Sequence, residues 1–145
     1  MLFRSLGHLG QVPPYAATKL VAIAQTHADA MALAIERGVT IALGTDIGLT
    51  GLDRPNAWGT NGSELAHLVT LGLTPLQAIE AATATAPRTH GPQAPRSGLL
   101  AAGYDADIIT VDGDPLADIS VLASPERITG VWTGGRQVKD TAGVS

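Results

Sequence analysis

The chain has 145 residues, a formal net charge of −4 and no cysteine. The length suits one ordinary domain, and the lack of cysteine excludes a disulfide framework, a thiolate metal site and a cysteine nucleophile. The nine basic residues are scattered among thirteen acidic ones, which argues against nucleic-acid binding because that function needs clustered Lys and Arg. We find no secretory signal and no apolar run long enough to span a membrane. We therefore expect neither a nucleic-acid nor a membrane partner.

The first predicted element is an amphipathic helix from Tyr15 to Arg37. Its apolar side chains recur with the 3.6-residue helical period, and Gly38 stands where a helix-ending glycine belongs. Val39 to Gly44 reads V-T-I-A-L-G, a short apolar run with β-branched residues directly after a helix. Such a run predicts a buried parallel strand. The stretch from Thr45 to Gly62 is rich in Gly, Asn, Asp and Pro, and a polar loop of this length is often functional.

Two more helices are predicted after this loop. Ser63 can cap the first of them, and Gly72 would end it. Thr74-Pro75-Leu76-Gln77 matches a capping box with proline at the first helical position, and Pro87 would stop the second helix.

The last third of the chain has the pattern of a small β module. Gly98 to Ala101 and Asp107 to Asp112 predict short extended segments. Ile128 to Thr133 and Arg136 to Lys139 flank Gly134-Gly135, which is a two-residue hairpin signal.

Asp46 is the residue with the clearest chemical potential. It ends the run Gly44-Thr45-Asp46, at the carboxyl end of the predicted parallel strand, where α/β folds place their chemistry. A carboxylate there could bind a metal ion or accept a proton from an attacking water. It could equally cap the next turn through its side chain. The local pattern leaves both interpretations open.

The remaining polar side chains favour structural interpretations. The four histidines show no metal-ligand spacing, and His27 on the apolar face of the first helix is typical of a core or interface group. Glu64 and His67 lie three residues apart on the second helix, which predicts a surface pair. The acidic residues near the β module favour turn chemistry rather than a calcium loop. These are Asp105, Asp107, Asp112, Asp114 and Asp118.

Several motifs, in this order and spacing, resemble the amidohydrolase superfamily, in particular its imidazolonepropionase-like and Xaa-Pro-dipeptidase-like branch. They begin with G-V-T-I-A-L-G-T-D at residues 38–46 and N-G-S-E-L at residues 61–65. L-G-L-T-P-L-Q-A-I-E-A-A-T follows at residues 71–83. The last two are S-G-L-L-A-A-G-Y-D-A-D-I-I-T-V-D-G-D-P-L-A-D-I at residues 97–119 and V-W-T-G-G-R-Q-V at residues 131–138.

The resemblance implies an α/β fold in which this chain supplies the last βα units of a (β/α)₈ TIM-type barrel, followed by part of a small β-sandwich. Residues 1–90 would belong to the barrel and residues 91–145 to the sandwich. It also implies that Asp46 follows the eighth strand, binds a divalent metal and acts as the general base. Zinc is the expected metal, with one or two ions in the full-length parent. The other ligands of the family, an H-x-H pair, a carboxylated Lys or a Glu, and two His, would lie outside this chain.

The resemblance further suggests supporting roles for four residues. Thr45 and Glu64 would lie behind the metal site and hold it in place. Trp58 and Asn61 are candidates for substrate contacts. Trp58-Gly59 stands where many relatives carry His-Gly, which puts the substrate preference of this protein in doubt.

We expect the chain to be a carboxy-terminal fragment that is inactive alone and marginally stable or oligomeric. Nothing resembling the first six barrel strands precedes its first helix. The parent would be a cytoplasmic homo-oligomer that hydrolyses a C–N bond in a small molecule, either an amide, a cyclic amide or an Xaa-Pro dipeptide. The alternatives are a ring-amidine deaminase and a non-catalytic assembly or binding module derived from the same fold.

Overall fold

The computed structural model describes residues 9–11, 13–45 and 59–141. Three α-helices and three strands make up the main elements: α1 (Pro14–Glu36), α2 (Ser63–Thr70), α3 (Pro75–Ala82), β1 (Ile108–Val111), β2 (Ile128–Thr133) and β3 (Arg136–Asp140). These residues also form four 3₁₀ segments, at Leu9–Gln11, Ala86–Gln93, Ile119–Ala123 and Pro125–Arg127. Asp46 and Trp58 lie outside the described residues.

The first predicted helix is confirmed, with Pro14 in its first turn, where a missing N–H costs nothing. Its end is a Schellman motif. Gly38 adopts a φ of 69° and donates its N–H to the Ile35 carbonyl at 3.0 Å, and Val39 donates to the Ala34 carbonyl at 2.9 Å. None of the residues of α1 is buried.

The predicted strand from Val39 to Gly44 is wrong, because these residues belong to no strand in the structure. A strand exists only through the backbone bonds of a neighbouring strand, and none of the described strands lies beside this segment. The Leu43 N–H instead donates to the Ala81 carbonyl of α3 at 2.9 Å. Ile41 and Leu43 are half-buried and pack against the core.

The second helix is confirmed, but Ser63 does not cap it. Gly62 is the N-cap residue, and Ser63 is the first helical residue, whose hydroxyl donates to the Thr60 carbonyl at 2.7 Å. A glycine fits at this position because a Cβ on Gly62 would collide with the Leu122 carbonyl oxygen. The start of α2 is thus pressed directly against the backbone of the Ile119–Ala123 segment.

The capping box of the third helix is confirmed. The Gln77 N–H donates to the Thr74 hydroxyl at 3.2 Å, and the Thr74 N–H donates to the Gln77 side chain at 2.9 Å. The helix ends at Ala82 rather than at Pro87, because Thr83 leaves the helical region with φ −116° and ψ −82°. Pro87 lies in the 3₁₀ segment that follows.

The predicted hairpin is confirmed within an antiparallel sheet of order β1-β2-β3. Gly134 and Gly135 have φ values of 56° and 77°. Two consecutive left-handed residues are what a type I′ turn requires, and its twist matches that of the flanking strands. The predicted strand at Asp107 to Asp112 is also confirmed, with bounds Ile108–Val111. The segment from Gly98 to Ala101 is not a strand.

The hydrophobic core joins the helices to the chain that follows β1. Leu65 and Leu68 of α2 pack with Ala78 and Ala81 of α3 and with Ile119, and each of the five is at most 8% exposed. Because Ile119 lies beyond residue 90, the core draws on both of the predicted units. The boundary between residues 1–90 and 91–145 stays a prediction.

Candidate functional site

A cleft of about 710 Å³ lies where the predicted functional loop begins and ends. Thr45 and Gly59, the described residues on either side of 46–58, both line it, as does Asn61. Leu43 and Leu65 form the adjoining floor. The structure therefore brings together Thr45 and Asn61, which the sequence had placed at one site although they are sixteen positions apart.

The opposite wall of the cleft is the apolar face of the sheet. Ile109 and Val131 are paired across β1 and β2, and the next pair along, Val111 and Ile128, lines the same cleft. Lys139 is brought to this wall by its pairing with Val131 in β3. Its ammonium group donates to the Pro125 carbonyl at 2.7 Å. No sequence motif marks Lys139 for this position, since only the strand register places it there.

Glu64 is buried, with 5% of its surface exposed, in the first turn of α2. The predicted surface position of Glu64 and His67 is therefore wrong, because Glu64 is buried and His67 is half-buried. Their pairing stays a prediction. The positive end of the helix dipole favours a carboxylate in the first turn. Burying a charged carboxylate costs free energy unless pairing or hydrogen bonds compensate for the lost water. The residues around Glu64 must therefore supply that compensation. Glu64 directly precedes Leu65 of the cleft.

The sequence of residues 11–138 matches the family described as the amidohydrolase family. The chain belongs to the amidohydrolase family. It is 48% identical over 122 residues to the ochratoxinase of Aspergillus niger, a match that covers 83% of this chain and 24% of that protein. The chain thus spans about a quarter of the length of this curated relative.

Solved structures of amidohydrolases have the same fold over this part of their chains. The crystal structure of A. niger ochratoxinase superposes with a TM-score of 0.77 and 41% identity, covering 97% of this chain and 31% of that one. A Xaa-Pro dipeptidase with bound methionine in its active site superposes with a TM-score of 0.71 and 31% identity, covering 88% of this chain and 29% of that one. The predicted resemblance is confirmed, and the described α/β unit corresponds to roughly a third of an amidohydrolase.

The described histidines of this amidohydrolase chain, His27, His67 and His90, do not assemble a metal centre. His27 is exposed, so it is not a core group, and the alternative of an interface group stays a prediction. His90 is also exposed. Within residues 9–11, 13–45 and 59–141, no group of three or more His, Cys, Asp or Glu side chains could hold a metal ion. Asp46 lies outside these ranges, so its role as a ligand stays a prediction.

The acidic residues of the β module serve its turns. Asp114 accepts a hydrogen bond from the Leu116 N–H at 2.8 Å, and Asp107 accepts one from the Gly134 N–H at 2.8 Å. Asp118 caps the Ile119–Ala123 segment by accepting from the Ser120 N–H at 2.9 Å. Hydrogen bonds from the Ser120 side chain and backbone hold the pKa of Asp118 below its ordinary value. Among the described helices, none is long and apolar enough to cross a bilayer.

Proposed function

We propose that this chain is part of a metal-dependent hydrolase of C–N bonds whose substrate is an amide, a cyclic amide or an Xaa-Pro dipeptide. The observation that carries this proposal is the 48% identity over 122 residues to an ochratoxinase. The structural match to a Xaa-Pro dipeptidase at 31% identity supports it. In this proposal the chain supplies the last βα units of the barrel and part of the small β-sandwich. A homo-oligomeric, cytoplasmic parent stays a prediction.

Asp46 is the proposed metal ligand and general base. It directly follows Thr45, which lines the cleft, and the other end of the same loop returns to the cleft at Gly59 and Asn61. A divalent metal, with zinc expected, would polarise the carbonyl and lower the pKa of the attacking water. The Asp46 carboxylate would accept the proton of that water and pass it to the departing nitrogen.

The neighbouring residues have proposed supporting roles. Thr45 would hold in place the backbone that leads into Asp46. Buried Glu64 would hold the start of α2 against the loop. Asn61, at the rim of the cleft, and Trp58 would contact the substrate. The resemblance to the family places the other metal ligands outside this chain. We therefore expect no hydrolysis by these 145 residues alone.

The test is the substitution Asp46→Asn in the complete polypeptide that includes this chain. Removing a general base lowers turnover by about 10²–10⁴-fold, and losing a metal ligand would add to that. Turnover is measured on an N-acyl amino acid, a cyclic amide and an Xaa-Pro dipeptide, and bound metal is counted by elemental analysis. Asp29→Asn, at an exposed position of α1, is the matched control and should leave turnover unchanged. Near-normal turnover of Asp46→Asn would remove Asp46 from the mechanism.

A further inference from the structure

Asn61 and Gly62 form the only Asn-Gly pair of the sequence, because the other asparagine, Asn56, is followed by alanine. Glycine has no Cβ, so its main-chain nitrogen can approach a neighbouring side chain in more conformations than that of any other residue. The side chain of asparagine carries an electrophilic carbonyl carbon that can form a five-membered ring with this nitrogen. The pair therefore has the composition that favours attack of the Gly62 nitrogen on the Asn61 side chain.

The structure leaves both reacting groups of this pair accessible. Asn61 is exposed and lies at the rim of the cleft. Within the described ranges, neither the Asn61 side chain nor the Gly62 N–H makes a hydrogen bond. No described group therefore prevents the side-chain amide from rotating toward the main chain, and no described acceptor holds the proton that the Gly62 nitrogen must lose.

The backbone hydrogen bonds that use the carbonyls of this pair are long. The Glu64 N–H donates to the Asn61 carbonyl at 3.1 Å, and the Leu65 N–H donates to the Gly62 carbonyl at 3.2 Å. Most N–H···O bonds measure about 2.9–3.0 Å, and about 3.2 Å is the upper end of the usual range. Both residues of the pair also precede the first helical residue of α2. Because chain segments at element ends open locally at less cost than global unfolding, this turn can reach the geometry of attack without unfolding of the protein.

We propose that Asn61 is a site of spontaneous deamidation, with water as the co-reactant. The Gly62 nitrogen forms a bond to the Asn61 side-chain carbonyl carbon, the bond from that carbon to the amide nitrogen breaks, and ammonia leaves with the proton of the Gly62 N–H. Water then opens the resulting succinimide ring at either carbonyl, giving aspartate or isoaspartate at position 61. No atom is oxidised or reduced. The proposal is independent of the proposed function, because no step uses a metal or a substrate.

The two products differ in their effect on the start of α2. In the aspartate product the main chain is unchanged, and the new carboxylate lies before the positive end of the helix dipole, which favours it. In isoaspartate the main chain runs through the former side chain, so the carbonyl that accepts from the Glu64 N–H becomes part of a free carboxylate. The main chain also gains one methylene next to Gly62, where a Cβ would already collide with the Leu122 carbonyl oxygen. Isoaspartate therefore destabilises the protein, whereas aspartate does not.

Both products change the chemistry of the cleft rim. The asparagine amide donates and accepts hydrogen bonds, whereas an ionised carboxylate only accepts them. Deamidation thus removes a donor from the rim of the cleft and adds a negative charge there. It is a slow, irreversible change of charge that needs no other protein.

The experiment incubates the 145-residue chain at mildly alkaline pH for increasing times. Mass spectrometry of its peptides locates the deamidation, and an isoaspartate-specific methyltransferase labels the isoaspartate product. We expect Asn61 to react at least about tenfold faster than Asn56, which is followed by a residue with a Cβ. The rate should rise with pH, because the attacking nitrogen must lose its proton. Asn61→Ser is the matched control and should acquire no label at this position.

Urea unfolding of the aged protein is the second measurement. The aged chain should unfold at a lower urea concentration than the fresh chain, while Asn61→Asp and aged Asn61→Ser should each keep the midpoint of their fresh proteins. A rate at Asn61 no higher than at Asn56 would overturn the proposal. So would a reaction that occurs in the urea-unfolded chain but not in the folded one. Hydrolysis of substrates is not among these readouts, so the result is independent of the test of Asp46.

Discussion

Substituting Gly62 by Ala tests the contact that joins α2 to the β module. Gly62 has an ordinary helical conformation, φ −59° and ψ −23°, so an alanine there meets no backbone strain. Alanine allows the unfolded chain fewer conformations than glycine does. This effect alone would stabilise the folded protein by about 0.4–1 kcal/mol. The new Cβ, however, would collide with the Leu122 carbonyl oxygen, which is backbone and cannot rotate away. Overpacking of this kind costs about 1–3 kcal/mol, so we expect a net loss of about 1–2 kcal/mol.

The assay for Gly62→Ala is urea unfolding followed by far-ultraviolet circular dichroism, with the midpoints compared at a common slope. Gly10→Ala is the control, since no atom of the described residues lies within 4 Å of a Cβ at Gly10. It should change the free energy of unfolding by no more than about 0.5 kcal/mol. A Gly62→Ala protein as stable as the parent chain would refute the close packing of α2 on the Ile119–Ala123 segment.

Two further predictions concern caps. Thr74→Ala removes the acceptor of the Gln77 N–H and should cost about 1 kcal/mol in urea unfolding. Thr70→Ala, at the exposed last residue of α2, should cost clearly less, and equal losses would contradict the capping role. Asp118→Asn should flatten the acid dependence of stability. The hydrogen bonds from Ser120 lower the pKa of Asp118 in the folded state, so its stabilising effect exists above the unfolded pKa and disappears as the pH falls through the folded pKa. Thermal melts between about pH 5 and 2 measure this, and parallel curves for both proteins would contradict it.

The elements that the sequence predicted well are those fixed by nearby residues. The capping box depends on Thr74 and Gln77, which are three positions apart, and both of its hydrogen bonds are present. The turn at Gly134-Gly135 depends on two adjacent glycines with positive φ. In both cases the decisive hydrogen bonds or dihedral angles lie within one turn of the chain, so the local sequence suffices to predict them.

The predictions that were wrong depend on distant residues. Val39 to Gly44 has the composition of a strand, but strand formation requires a neighbouring strand, which the described residues do not provide. Glu64 follows the pattern of an exposed first-turn carboxylate, but the Ile119–Ala123 segment packs on α2, and the carboxylate is buried. The roles of the candidate site residues stay predictions. Thr45 and Asn61 do meet at one cleft, whereas Asp46 and Trp58 lie outside the described residues.

Because Ile119 is part of the core, the core cannot be completed until residue 119 has been synthesised. Leu65 leaves the ribosome 54 residues before Ile119, a count taken from their positions in the chain. At about 5–20 residues per second, Leu65 of α2 would wait roughly 3–11 s for Ile119, and the core of α2 and α3 would stay open until Ile119 is made. During that interval Leu65, Leu68 and Ala81 remain accessible to chaperones and to other nascent chains. Because the helices share their core with the β module, the apolar side chains of the nascent helices must be protected from other chains until Ile119 has been synthesised.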